Sequence, residues 1–338
     1  MIVPDRLEAW MDESLLPGKG SPLAVRPLAG GSQNAVFELV RDDLHAVLRM
    51  PPPQAPAARD NGILREWRVI SALDATDVPH TPALGLCSDP AVLGRPFYLM
   101  GFVDGWSPLS HPDGWPPPYE EDDAARYGLA YQLVEGAALL GNVDWQAVGL
   151  GDFGRPDGFH ERQVTRWATY LESVKGRKLP GFDVAAAWLH ERRPLDYRPG
   201  IMHGDYSYAN IMFRHEIPPR LAAVIDWEMA TIGDPKLDLA WALHSWPTSA
   251  PGDADAANRL TAGMPPRAQL LEHYAEVSGR QVDDFDYYLV LAKWKLAVVL
   301  EQGFQRAGDD EKLRSFGPMV LDLFAEAAEV AETTSYRG

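Results

Sequence analysis

Short apolar runs separated by polar turns characterise the first hundred residues of the chain. Residues 23–50 predict a strand–turn–strand unit, because apolar residues resume on both sides of the polar positions 41–43. The proline-rich residues 51–56 predict a loop, since proline supplies no backbone N–H and fixes φ. Residues 58–73 carry apolar side chains at helical spacing, and residues 95–103 predict a buried strand.

The pattern changes near residue 104. Residues 104–123 are rich in Pro, Gly and Asp and predict an irregular connector. Downstream the spacing is mostly helical, and the predicted helices cover residues 122–141, 158–174, 182–192, 236–247, 266–278 and 283–307. The sequence therefore predicts an α+β protein with two lobes. A small N-terminal lobe with β-strands spans residues 1–103, and a larger helical lobe spans residues 104–338.

Composition narrows the class of protein. The 338 residues are 46% hydrophobic, which allows a large core, and their formal net charge of −17 disfavours binding to nucleic acid or to an anionic membrane. No window reaches the roughly 18 apolar residues of a membrane span. The acidic N-terminus lacks the features of a signal peptide, and Cys87 is the one cysteine, so we expect a cytoplasmic protein. The eleven tryptophans fill the core or, for a minority, line a pocket.

The first polar segment of interest lies between two predicted strands. It consists of Gly30, Gly31, Ser32, Gln33 and Asn34. Glycines allow close approach of the backbone, and successive N–H groups can hold phosphate oxygens. The same residues are equally typical of an ordinary hairpin turn. The segment alone therefore leaves both interpretations open.

Two further polar positions stand inside apolar surroundings, and a third follows an apolar run. Asp205 and Asn210 interrupt residues 201–213, and Asp226 follows the strand-like run 221–225. Mg²⁺ prefers oxygen ligands and usually takes one or two protein carboxylates together with substrate phosphates. Asn210 and Asp226 fit that role, which leaves Asp205 free as a base. Base, amide and strand-end carboxylate occur in this order in protein-kinase-type phosphoryl transfer.

These residues carry a family resemblance. Residues 203–213 (HGDYSYANIMF) and 224–241 (VIDWEMATIGDPKLDLAW) resemble the catalytic motif and metal-binding segment of the aminoglycoside phosphotransferase-like family, which is related to choline kinases and, by fold, to protein kinases. Residues 59–73, 143–167 and 285–307 are most similar to one subgroup. Its members occur alone in bacteria or fused to acyl-CoA dehydrogenase domains. At 338 residues, we expect the chain to hold the kinase part alone.

The resemblance implies a bilobal protein-kinase-like fold and a cytoplasmic small-molecule kinase that uses ATP or GTP with Mg²⁺. Asp205 is expected to be the catalytic base, and Asn210 and Asp226 the metal ligands. Glu228 is expected to assist at the metal or orient a ligand, or else to be a surface residue. His203 is expected to be structural, while Asp234 caps a helix and Asp238 ties that helix to the catalytic loop.

Two positions depart from the family pattern. Kinase-like folds usually place a lysine on the third strand, paired with a glutamate on the first helix; this chain offers Arg49 and Glu66. Arginine keeps the charge but brings a planar fork, so Arg49 is expected to contact phosphate or simply to pair with Glu66. Gly141 stands where relatives tend to have histidine. The adenine is expected to lie near Met100 and Phe102.

The acceptor is harder to predict. Residues 162–180 form a basic island with five cations and one acid; its cations are Arg162, Arg166, Lys175, Arg177 and Lys178. Such an island, above all Arg162 and Arg166, suits an anionic acceptor such as a hydroxyacyl-CoA or a lipid-like hydroxy acid, or is merely a solvated helix face. The alternatives are an aminoglycoside, macrolide or amino-alcohol kinase, and a non-catalytic nucleotide-binding pseudokinase. A small-molecule hydroxyl compound is the expected partner, and no protein partner is evident.

Overall fold

The N-terminal part of the chain builds one antiparallel sheet. The structure, a computed structural model, describes residues 2–28, 34–111, 114–174, 176–248, 260–261 and 263–338. Its first elements are α1 (Pro4–Glu13), β1 (Ala24–Pro27), β2 (Ala35–Arg41), β3 (Leu44–Met50), α2 (Ala58–Leu73), β4 (Ala83–Cys87), α3 (Pro90–Leu93) and β5 (Phe97–Gly101). The five strands follow the order β1-β2-β3-β5-β4. The α+β prediction is therefore confirmed for this part of the chain.

Local pattern explains most of this sheet. The predicted turn joins β2 to β3 through Asp42, which adopts a φ of +52° that Asp tolerates better than most residues. Helix α2 has the predicted bounds. Helix α1 was not predicted; it buries Leu7 and Met11 in a cluster with the sheet. Two apolar residues one turn apart form too short a pattern to predict a helix, so packing against the sheet stabilises α1.

Helices dominate the rest of the chain. The elements are α4 (Asp123–Asn142), α5 (Phe159–Glu172), α6 (Phe182–Glu191), β6 (Gly200–Met202), β7 (Ile211–Phe213), β8 (Leu221–Val224), β9 (Thr231–Gly233), α7 (Lys236–Leu243), α8 (Arg267–Ser278), α9 (Phe285–Gln305) and α10 (Glu311–Thr333). Each of the six predicted helices is present, with no end shifted by more than four residues. Helix α10 was missed; it carries Pro318 in its interior, which argues against a helix on local grounds.

The core of this helical part surrounds α9. Tyr287, Tyr288 and Trp294 of that helix are fully buried, and α10 packs along it. Two ribbons of three- to four-residue strands, β6–β9 and β7–β8, lie in the same part of the chain. Their connections carry the conspicuous polar residues. Among the described residues, no helix combines the length and the apolar content that crossing a membrane requires.

Close packing accounts for the glycine at position 141. A Cβ at Gly141 would lie 2.7 Å from Cβ of Pro235, a rigid side chain just before α7. The carbonyl oxygen of Gly141 in turn lies 2.3 Å from where a Cβ on Gly200 would stand. The end of α4, the start of β6 and the start of α7 thus meet without room for a side chain.

We expect Gly141→Ala to destabilise the protein by about 1–3 kcal/mol, because the added methyl overpacks a rigid contact. Gly62 in α2 is the matched control, since a Cβ there meets nothing within 4 Å. Gly62→Ala should stabilise by roughly 0.5–1 kcal/mol through helix propensity. Urea unfolding of both variants measures the difference. Equal effects of the two substitutions would contradict this account of Gly141.

Candidate active site

The two short ribbons bring the polar segments together. Residues 203–210 connect β6 to β7, and Asp226 follows β8. The backbone N–H of Ile225 donates to the carbonyl oxygen of Asn210 over 2.9 Å, so the residue before Asp226 is bonded to Asn210. Asp226 itself adopts a φ of +67°, a strained conformation for a non-glycine residue. The structure therefore places the predicted metal ligands side by side.

Both carboxylate oxygens of Asp205 are held by donors. Nδ2 of Asn210 donates to Oδ2 over 2.8 Å and also to the backbone oxygen of Asp205 over 2.9 Å. Nε1 of Trp241 donates to Oδ1 over 2.8 Å. Asn210 thereby uses its amide nitrogen on Asp205 and keeps its oxygen for another partner. Trp241 was not predicted; it lies within the motif at residues 224–241, but its contact with Asp205 depends on the packing of α7.

A buried carboxylate fixes the start of this loop. Asp238 of α7 accepts hydrogen bonds from the backbone N–H groups of His203 over 2.5 Å and Gly204 over 2.9 Å. Burial raises the pKa of Asp238, and the charge of His203 and the two N–H donors act against that rise. His203 is fully buried and its Nε2 contacts the carbonyl oxygen of Ile225 over 2.9 Å. The predicted tie between α7 and the loop is confirmed, and His203 lies beneath the loop as expected.

Asp234 anchors the other end of α7. Its Oδ1 accepts from the backbone N–H of Lys236 over 3.2 Å, the cap that the sequence predicts. Its Oδ2 contacts Nε2 of His160 over 3.0 Å and accepts a hydrogen bond from the hydroxyl of Tyr288. Asp234 therefore joins α7 to α5 and α9 and has an architectural role.

Arg49 joins the sheet to the strand-end carboxylate. Its Nε lies 2.7 Å from Oε2 of Glu66, and its second guanidinium nitrogen lies 2.6 Å from Oδ1 of Asp226. Tyr98 and Asn34 also donate to Glu66. Burial alone would lower the pKa of Arg49, but the charges of Glu66, Tyr98 and Asp226 outweigh it and raise that pKa. The predicted pairing of Arg49 with Glu66 is present, and Asp226 extends it.

The structure describes only some of the residues that are expected to contact the nucleotide. Gly30, Gly31, Ser32 and Gln33 lie outside the described residues, so their predicted role stays a prediction.

Met100 is part of β5, which lies between β3 and β4, and just beyond β5 Phe102 stacks on His45 with ring centroids 3.8 Å apart. The N–H groups of Gly101 and Phe102 donate to the carbonyl oxygens of Pro82 and His45. A base beyond the end of β5 would therefore pair with backbone groups from Val103 onward.

A cavity of about 260 Å³ adjoins the loop that carries Asp205. Its lining includes Arg166 and Glu228, two of the residues predicted to bind substrate. Burial and the nearby charge of Asp226 raise the pKa of Glu228. The other lining residues are Arg65, Phe159, Gln163, Trp167, Met202, Gly204, Met229, Ala230, Thr231, Leu237 and Lys295.

The basic island does not form one surface. Arg162 donates to the backbone oxygens of Arg155 and Asp157 and is absent from the cavity lining, so its predicted substrate role finds no support in this geometry. Arg177 pairs with the buried Glu301 over 2.8 Å. Lys178 is exposed, and Lys175 lies outside the described residues. Of the four cations here that the structure describes, Arg166 alone lines the cavity; Arg162, one turn earlier in α5, is drawn away by the backbone oxygens that precede the helix.

Lys295 in α9 is the cation that sequence reasoning missed. It is 6% exposed and lines the cavity. Burial lowers the pKa of Lys295 to about 8, although the charges of Asp238 and Asp205 act in the opposite direction. The signal was available in the sequence, since a lysine in the apolar run of α9 is expected to be buried. Helical spacing alone could not show that it reaches the loop at residue 204.

The donor set of the site fits a hard cation that also binds phosphate. No group of three or more His, Cys, Asp or Glu side chains is arranged to hold a metal among the residues placed by the structure. Asn210 and Asp226, the predicted ligands, offer an amide oxygen and a carboxylate, oxygen donors of the kind that Mg²⁺ takes together with substrate phosphates.

Fold and site together define a phosphotransferase with a kinase-like fold. Residues 24–276 match the Phosphotransferase enzyme family, known as APH. The chain belongs to this family, and the family assignment made from the motifs is confirmed.

Known proteins extend this likeness. The chain is 31% identical to the crystal structure of a candidate aminoglycoside phosphotransferase from Ralstonia eutropha, with a TM-score of 0.83 over 98% of this chain and 99% of the other. The GDP complex of aminoglycoside 2'-phosphotransferase-IIIa shares the fold at 16% identity and a TM-score of 0.61, covering 95% and 97%. Acyl-CoA dehydrogenase family member 11 of Gallus gallus is 29% identical over 93% of this chain. The chain spans 41% of that relative's length.

We expect Asp238→Ala to destabilise the protein by about 3 kcal/mol or more, because two buried N–H groups lose their acceptor at roughly 1–3 kcal/mol each. Asp238→Asn keeps one acceptor oxygen and should lie between Ala and wild type. Asp322→Ala, at an exposed position of α10, is the control and should change stability by less than about 0.5 kcal/mol. Chemical denaturation measures all three. Similar losses for Asp238→Ala and Asp322→Ala would show that the tie contributes little.

Proposed function

We propose that this phosphotransferase moves the γ-phosphoryl group of ATP, or of GTP, to a hydroxyl group of a small molecule, with Asp205 as the base. The observation that carries the proposal is the carboxylate of Asp205, held on both oxygens next to Asn210 and Asp226. The hydroxyl oxygen attacks the γ-phosphorus, its proton passes to Asp205, and the bond from the γ-phosphorus to the β–γ bridging oxygen breaks. The nucleoside diphosphate leaves with that oxygen.

Position supplies most of the catalysis in such a reaction. Phosphoryl transfer needs little covalent chemistry from the protein, so alignment and charge neutralisation dominate. Asn210 and Trp241 keep Asp205 in one orientation. Each carboxylate oxygen of Asp205 has a second lone pair that can accept the hydroxyl proton.

The metal would be held by the side-chain oxygen of Asn210 and the carboxylate of Asp226. When bound, Mg²⁺ neutralises phosphate charge. Arg49 occupies one oxygen of Asp226 in this structure and leaves the other free for a cation. Glu66 holds the guanidinium of Arg49 beside Asp226, where its remaining N–H groups can contact phosphate. The relative solved with GDP supports a nucleotide in this fold.

For the acceptor we propose a hydroxyacyl compound, either a hydroxyacyl-CoA or a free hydroxy acid. The cavity beside the loop contains three cations and one acid, since Arg65, Arg166 and Lys295 face Glu228. This balance suits a negatively charged acceptor and disfavours aminoglycosides, which carry several ammonium groups. The similarity to part of an acyl-CoA dehydrogenase family member agrees with acyl chemistry.

An ATP-consumption screen tests the acceptor class. We expect activity with medium-chain hydroxy acids or their CoA thioesters, and little with aminoglycosides, macrolides or amino-alcohols. Asp205→Asn should lower kcat by at least about 100-fold, because the base and its charge are lost while the hydrogen bonds of the loop largely persist. Activity that survives Asp205→Asn would refute the role of Asp205, and preferred turnover of an amino-alcohol would refute the acceptor class.

A thermal-shift series tests the metal ligands and separates an enzyme from a pseudokinase. ATP with Mg²⁺ should raise the unfolding temperature of the wild type more than ATP alone, since ligands stabilise the folded state by mass action. Asp226→Ala should lose the metal-dependent part of that shift, and Asp322→Ala should keep it. Absence of any metal-dependent shift in the wild type would count against the kinase reaction.

A further inference from the structure

Lys295 is a buried ammonium group with an incomplete set of partners. An ammonium group has three N–H donors, and Nζ of Lys295 makes one long hydrogen bond, 3.3 Å to the carbonyl oxygen of Gly204. No ion pair joins it to a carboxylate in the part of the chain that the structure describes. A buried charge is costly unless it is paired and hydrogen-bonded. The cost needs a reason.

The surroundings of Lys295 stabilise its charge but leave two of its three N–H donors without a hydrogen-bond acceptor among the described residues. Its Nζ lies 4.6 Å from the ring centre of Trp241 and 5.3 Å from that of Trp167, both suitable for cation–π attraction. The nearest acids are engaged elsewhere. Asp238 accepts from two backbone N–H groups, and Asp205 accepts from Asn210 and Trp241.

We propose that Lys295 is a specificity-determining residue that binds an anionic oxygen of the acceptor, a carboxylate or a phosphate. The residue lines the cavity next to the loop, so its two remaining donors can meet a ligand there. Arg166 is on the same cavity wall and is exposed, which places a second cation where an anion would enter. The inference rests on the proposed function, because it assumes that the acceptor occupies this cavity.

The arrangement also defines the shape of the acceptor. Lys295 bonds to Gly204, the residue directly before Asp205. The anionic oxygen and the reacting hydroxyl are therefore held close together. A free hydroxy acid supplies this oxygen from its own carboxylate, a short way along the chain from its hydroxyl. A CoA thioester supplies it from the phosphates of CoA only with the flexible pantetheine arm folded back toward the acyl chain.

Binding of octanoate and octanoyl-CoA to the full chain, measured by calorimetry, tests the inference without turnover, since neither probe has an acyl-chain hydroxyl to phosphorylate. We expect Lys295→Met to weaken octanoate binding at least tenfold and to change the binding of octanamide, its neutral analogue, by less than twofold. Lys295→Arg should keep most of the affinity. Lys312→Met, at an exposed position of α10, should bind as the wild type does.

The pH dependence gives a second readout. With a pKa of about 8, Lys295 is charged at pH 7 and largely neutral at pH 9. Octanoate affinity should fall over this range in the wild type and stay flat in Lys295→Met. The charged groups that face Lys295 are Asp238 of α7, Asp205 of the loop and Arg166 of α5.

Several results would overturn the inference. Equal losses of octanoate and octanamide binding in Lys295→Met would show that Lys295 has a structural role. A wild type that binds neither octanoate nor octanoyl-CoA would show that the cavity is not an anion site. Tighter binding of the thioester than of the free acid identifies CoA phosphate as the source of the anion. Lys295-dependent octanoate binding without phosphorylation of any hydroxyl would refute the proposed function and keep the anion site.

Discussion

The site depends on one buried carboxylate, which accepts hydrogen bonds from two backbone N–H groups that water does not reach. Asp238 accepts hydrogen bonds from the backbone N–H groups of His203 and Gly204 at the start of the loop. Gly204 has a φ of +85°, and a Cβ at this position would lie only 2.4 Å from the carbonyl oxygen of Met229. No other residue type fits that approach without strain. The loop is therefore positioned by α7, whose Asp238 lies more than thirty residues after His203 and Gly204 in the chain.

Helix α7 then reaches the reacting carboxylate directly. Trp241 lies three residues after Asp238, so both side chains emerge on the same face of the helix. One residue holds the backbone of the loop, and the other donates to Asp205. Asp234 fixes the start of α7 to α5 and α9. A single short helix thus sets the distances between the loop, its base and the cavity.

Two sets of cations lie near the loop that carries Asp205. Arg49 joins Glu66 and Asp226, where phosphates are expected, while Lys295 and Arg166 line the cavity beside the loop. In a chain with a net charge of −17, these local cations matter more than the total. They place positive potential at two separate points, which is the arrangement that a nucleotide and an anionic acceptor both require.

Sequence alone determined the elements that local periodicity supports and the residues of the motif. Helix α2 and the turn between β2 and β3 follow from patterns a few residues long, while the pairing of Asn210 with Asp226 and of Arg49 with Glu66 was predicted from the kinase-like pattern. The tertiary structure decided α1, α10 and the three-residue strands, since packing and distant pairing stabilise them. It also separated Arg162 from Arg166 and brought in Lys295 from 129 positions beyond Arg166. Which side chains share a cavity depends on how helices pack, and that information lies in contacts between distant residues.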